Sequence, residues 1–130
     1  QETLIRSDAK ADLSSKNYLD ALAKTLADRK VLLDMMETNK LDALCGVTNG
    51  LACCIDLANG DYDTGFSIST PAAITGFPHI TVPMGFVQAL PIGISFFGKA
   101  YSEPTLIGMA YAYEQVSKNR KAPKFIKSII

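Results

Sequence analysis

Apolar residues recur at helical spacing through the first third of the chain. Leu19, Leu22, Leu26, Leu33 and Met36 are separated by steps of about three, four and seven, which predicts one buried face of a long helix. Ser14 or Ser15 suits its N-cap and Asn39 lies near its end. A shorter helix over 2–9 is expected before it. The period then changes. Residues 41–47 (LDALCGV) read as a short buried strand with Cys45 as a small core residue, ending at the loop Thr48-Asn49-Gly50. Residues 78–86 (PHITVPMGF) and 91–98 (PIGISFFG) read as two further strands. Val87-Gln88-Ala89 is short enough to join them as a hairpin. Pro83 must then sit where the ladder needs no donor. Between the strands, Thr70 is expected to cap a short helix with Pro71 at its first position and Gly76 as its stop. Ser102-Glu103-Pro104 opens a last helix to about Lys118, with Leu106, Met109, Ala110, Tyr113 and Val116 on one face. The basic run 118–127 suits a solvated helix C-terminus.

Three strands and about five helices predict an α/β chain with a mixed sheet. Two of its strands are apolar almost throughout, which implies cover on both faces. Residues 49–70 are the least regular segment, with Gly50, Gly60 and Gly65 and an Asn-Gly-Asp turn at 59–61. A loop of that length inside a compact domain is usually functional or disordered.

Composition narrows the partners. A chain of 130 residues supports one domain and one core. Its 13 Lys+Arg are balanced by 13 Asp+Glu, so the basic excess that binding to phosphates requires is missing and nucleic acid is not an expected partner. Mean hydropathy of +0.13 is high for a small domain and leaves apolar surface that wants covering. A membrane span is not expected, because the apolar run 77–97 is broken by His79, Gln88 and three prolines. The chain begins Gln-Glu-Thr rather than with Met, from which a processed or trimmed N-terminus is expected.

Candidate chemistry is sparse. The 3 cysteines cannot close a disulfide framework, and a single His leaves no zinc constellation. No metal or cofactor is expected. His79, followed by β-branched residues, reads as a structural, hydrogen-bonded side chain. Cys53 and Cys54 lack a nearby cation to lower their thiol pKa. Asp56, Asp61 and Asp63 lack the Gly and terminal Glu of a calcium loop and read as turn formers. No dinucleotide fingerprint, phosphate loop or nucleophile elbow occurs. The residues by themselves make no complete active site.

Four blocks nevertheless carry a resemblance. They are LDALCGVTNG (41–50), IDLANGDYDTG (55–65), TPAAITGFPHITVPMGF (70–86) and LPIGISFFGKAYSEPTLIGMAYAYEQ (90–115), followed by an R-x-x-P ending at 120–123. In this order they resemble the C-terminal segment of the amidase signature family of serine amidohydrolases. The resemblance implies part of a many-stranded, twisted, mixed sheet with helices on both faces, residues 1–130 being a single C-terminal portion of the amidase domain. It implies an enzyme that hydrolyses carbon–nitrogen amide bonds through an acyl-enzyme, with a Ser nucleophile, a second Ser in a cis peptide and a Lys base. Those residues belong to a Gly/Ser-rich stretch and an earlier strand that this sequence lacks. Ser67-Ile68-Ser69-Thr70 is the nearest stretch and does not match it. No catalytic residue is therefore assigned here, and the chain alone is expected to be inactive.

The loop before the 70–78 block is expected to face the substrate, with Asp63, Thr64, Phe66, Ser67 and Ser69 as the binding candidates. The expected partners are a small amide, the N-terminal remainder of the amidase and, for the isolated chain, a second copy of itself. The expected compartment is the cytoplasm. Val47-Thr48 and Ala52-Cys53-Cys54 stand where the family often places Pro or an aromatic residue, which leaves the substrate class open. A non-catalytic interaction module derived from the same fold is the alternative.

Overall fold

The structure is a computed structural model and describes residues 1–10, 12–62 and 67–125. Its elements in chain order are α1 (Glu2–Asp8), α2 (Lys16–Thr38), β1 (Leu44–Val47), α3 (Ser69–Thr75), β2 (His79–Val87), β3 (Leu90–Phe97) and α4 (Glu103–Ser117). The described residues thus hold four helices where about five were expected. The three strands form an antiparallel sheet in the order β1-β3-β2. Gln88 and Ala89 turn the hairpin between the paired Val87 and Leu90, and Gln88 takes the positive φ of 48° that so tight a turn requires.

Two loop hydrogen bonds fix which way each strand turns its polar groups. The Gly98 N–H donates to Pro78 O and the Thr48 N–H donates to Gly93 O. Alternation along an antiparallel ladder then directs Pro78, Ile80 and Val82 toward β3. His79, Thr81 and Pro83 face the open side of β2, where the missing N–H of proline breaks no ladder bond. By the same alternation Cys45 and Val47 present their backbone groups along the open edge of β1. Cys45 is exposed, so it is not the small core residue that the strand pattern implied. The strand is also shorter than 41–47, beginning at Leu44.

The two faces of the sheet are packed differently. On one, Phe96 meets Tyr113 of α4 edge to face, with ring centroids 6.1 Å apart. On the other, Ser95 lies fully buried between Gly46 of β1 and Thr81 of β2. Phe97, Met36 and Leu106 are the largest fully buried apolar side chains. The expected stripe on α4 holds for Leu106 and Ala110, which are buried, but Val116 is 87% exposed. It is the penultimate residue of the helix.

Helix α2 departs further from expectation. Ser15 caps it, its hydroxyl accepting from the Tyr18 N–H, and Asn39 closes it. Of the five positions expected on a buried face, only Met36 is buried, while Leu19, Leu22 and Leu26 are 50%, 40% and 56% exposed. The contacts of α2 run to α3, where Arg29 lies 5.2 Å above the Phe77 ring. The amphipathic spacing is present, but among the described residues nothing covers its first half.

Helix α3 starts at Ser69, one residue earlier than the expected cap at Thr70, so Pro71 occupies the third helical position. A proline is tolerated there because the first four N–H groups have no partner within the helix. Gly76 ends the helix at φ 67°, the left-handed conformation that glycine adopts at least cost.

Gly93 has a steric reason rather than a conformational one. A Cβ at this position would lie 2.7 Å from both Thr48 Oγ1 and Thr81 Cγ2. Gly85, in the same hairpin, has nothing within 4 Å of its would-be Cβ. Gly93→Ala is therefore expected to destabilise the fold by about 1–3 kcal/mol. Gly85→Ala should stay within about 0.5 kcal/mol of the parent protein. Chemical denaturation of the two variants side by side checks the contrast.

Candidate substrate-facing loop

The segment leaving β1 begins with Thr48, whose hydroxyl lies 2.7 Å from Ser95 Oγ, and the Thr81 hydroxyl lies 2.9 Å from the same oxygen. A hydroxyl has one hydrogen to donate and two lone pairs, so Ser95 can donate to one of these two neighbours and accept from the other. Thr48 is thereby tied through Ser95 to the central strand and through it to β2. Its backbone carbonyl accepts from the Ile68 N–H at 3.2 Å, and Asn49 forms an isolated antiparallel bridge with Ser67. The returning end of the loop is thus fastened to the sheet. Ile68 packs over Gly46, where a Cβ would meet Ile68 Cδ1 at 2.6 Å.

This anchorage places Ser67 and Ser69 together. Their hydroxyl oxygens are 2.7 Å apart, and the Ser69 N–H donates to Ser67 Oγ at 3.2 Å. Both side chains are half-buried at the start of α3. Asp63, Thr64 and Phe66, the other three binding candidates, lie outside the described residues. The structure therefore brings two of the five candidates into contact. The serine pair can donate to and accept from a polar ligand. Among the described residues no lysine or histidine hydrogen-bonds either hydroxyl, so the pair has no partner for nucleophilic work.

The outgoing half of the loop is held by one carboxylate. Asp56 Oδ1 accepts from the Ala58 and Asn59 N–H groups and Asp56 Oδ2 from the Asn59 side-chain amide. Asp61 Oδ1 in turn accepts from the Asp56 N–H. The bonds to Asp56, led by the Asn59 backbone N–H, hold its carboxyl below the usual carboxylate range. The turn-forming role expected of Asp56 and Asp61 is what the structure shows. Cys53, Cys54, Asp56 and Tyr62 line a small cavity of about 330 Å³ beside this knot, and both thiols are free and exposed. His79 differs from expectation, since its Nε2 is buried without a hydrogen-bond partner among the described residues.

The sequence pattern gives Thr48 only as a loop residue and does not single out Thr81 or Ser95. The usable signal was a hydroxyl within an otherwise apolar strand, Ser95 in PIGISFFG, because a buried hydroxyl needs a partner. No helix of the described residues is long and apolar enough to cross a membrane.

Comparison with known proteins places this geometry. No protein-family model matches the chain. A probable amidase of Arabidopsis thaliana is 33% identical over 127 residues, covering 97% of this chain and 22% of its own length. A glutamyl-tRNA(Gln) amidotransferase subunit of Bacillus velezensis is 38% identical over 117 residues, covering 83% of this chain and 24% of its own length. Among solved structures, a peptide amidase in complex with the competitive inhibitor chymostatin is 42% identical, with a TM-score of 0.82 over 96% of this chain and 26% of that one. The native peptide amidase of Stenotrophomonas maltophilia is 38% identical, with a TM-score of 0.76 over 96% of this chain and 25% of that one. The chain spans about a quarter of the length of these relatives. Shared sequence over nearly its whole length, joined to a shared course of the backbone, shows that this chain belongs to the amidase signature family.

Proposed function

We propose that residues 1–130 form a single C-terminal portion of an amidase domain that hydrolyses amide bonds and supply one wall of its substrate pocket. The observation that carries the reading is the serine pair, Ser67 and Ser69, held at 2.7 Å on a backbone fastened to the sheet. Groups that orient a substrate work only when their own positions are fixed by a supporting shell. Asp63, Thr64 and Phe66, which lie outside the described residues, are proposed as further contacts to the substrate on the strength of their sequence alone. Nucleophile and base come from the remainder of the enzyme, so this segment positions the amide and leaves the chemistry to other residues. The peptide amidases and the probable amidase that the chain resembles support a small amide or peptide amide as the substrate class.

Two surfaces support a partner. The open edge of β1 offers unpaired backbone groups at Cys45 and Val47, and such an edge templates pairing with another strand. The exposed leucines of α2 offer an apolar stripe. In the whole enzyme the N-terminal remainder covers them. In the isolated chain a second copy takes its place.

Two outcomes are expected. The 130-residue chain alone should release no ammonia from aliphatic or aromatic amides above a mock purification, and the full product of its reading frame should. Turnover by the chain alone that survives replacement of Cys45, Cys53 and Cys54 would contradict the division of labour. In the full product, Ser67→Ala should change KM or the preference among amides by about fivefold, equivalent to the ~1 kcal/mol of one neutral hydrogen bond, and Phe66→Ala should change the preference among amides, both with circular dichroism and melting unchanged. Identical kinetics across several amides would remove the loop from the pocket.

A further inference from the structure

A second cleft lies away from the serine pair, between the tip of the β2–β3 hairpin and the segment that follows α4. Lys118 turns the chain out of α4 in the left-handed conformation, at φ 48°. The Asn119 side-chain amide then donates to Met84 O in the hairpin, which fixes the segment alongside it. The space enclosed is about 710 Å³, within the range of about 300–1,000 Å³ that small-molecule sites occupy.

The lining has two kinds of surface. Phe86, Leu90 and Pro123 supply an apolar floor, and Arg120, Lys121 and Lys124 stand around it. Lys121 Nζ lies 5.3 Å from the centre of the Phe86 ring, which draws the cation over the floor instead of into solvent. Among the described residues no carboxylate lines the cleft, and none of the three cations makes an ion pair. In a chain whose charges balance to zero, this is a local excess of three positive charges on an apolar surface. Neither the proposed pocket wall nor the sheet packing uses it.

We propose that this cleft binds an amphipathic carboxylate, its head on Arg120 and Lys124 and its hydrocarbon or aryl body on Phe86, Leu90 and Pro123. Arginine presents a planar fork that matches a carboxylate, and its weakly hydrated guanidinium gives up water more readily than an ammonium does. The apolar floor selects against small inorganic anions, which bury no surface there. The inference is independent of the pocket wall and would stand if the serine loop proved purely structural.

The test uses the full product of the reading frame and octanoate below its micelle concentration, followed by calorimetry and by amide chemical shifts. Octanoate is expected to bind saturably at one site and to shift the Phe86 and Leu90 amides. Octylammonium should not bind, and added salt should weaken the octanoate complex. Arg120→Ala combined with Lys124→Ala should lower affinity at least tenfold without altering the melting temperature, since both side chains are exposed. Equal affinity for octanoate and octylammonium, or octanoate binding untouched by the double substitution, would overturn the proposal. Association with vesicles of mixed phosphatidylcholine and phosphatidylglycerol in the absence of octanoate binding would also overturn it and make the patch a lipid-surface contact.

Discussion

The Ser95 hydroxyl sits at 0% exposure in the middle strand of a three-stranded sheet, and both neighbouring segments reach it through hydroxyls of their own. A hydroxyl buried without a partner costs about 1–3 kcal/mol, so Thr48 and Thr81 must keep their places once Ser95 is enclosed. Gly93 must remain without a side chain to let them do so. The same Thr48 carries the carbonyl that receives Ile68 and stands next to Asn49, which bridges Ser67. One polar contact in an apolar sheet thus sets the register of the strands and the position of the serine loop together.

The remaining surfaces follow from what the chain does not cover. Antiparallel sheets bury backbone groups only between strands, and among the described residues no strand pairs with the outer side of β1 or of β2. Helix α2 touches α3 near its C-terminal half and leaves Leu19, Leu22 and Leu26 facing outward. Relatives roughly four times as long by coverage have the residues to fill those surfaces. A small chain with 48% hydrophobic residues is consistent with a core shared beyond its own limits, because short chains bury a smaller fraction of the surface they expose when unfolded.

Much of the architecture was legible in the residues. The helical period across 19–36, the two apolar strands with a tight turn at 88–89 and the glycine at 76 each carry a local signal, and each element is present. Burial was less legible. Periodicity tells which residues share a helix face, but not whether anything lies opposite, and α2 and Val116 show the difference. Cys45 was misplaced for a related reason: in a short strand at a sheet edge, alternation alone does not tell the covered side from the open one. For the site, the family blocks pointed to the loop before 70–78. Ser95 is marked by being a hydroxyl in an apolar strand, but nothing in the sequence pointed to Thr48 as its partner, since the two are separated by 47 positions and meet only because β1 pairs with β3. Nor did the basic run 118–127 reveal that its described part, residues 118–125, folds back on a hairpin, since a helix C-terminus followed by lysines reads equally as a solvated end.

The claim that this chain is the pocket-wall portion of a larger amidase is tested most directly by reading the coding region upstream of Gln1. The account predicts an open frame continuous with this chain, encoding a lysine on an early strand and a Gly-Gly-Ser-Ser-Gly stretch before residue 1. An initiation codon immediately preceding Gln1, with an in-frame stop before it and no such stretch in the same product, would contradict it.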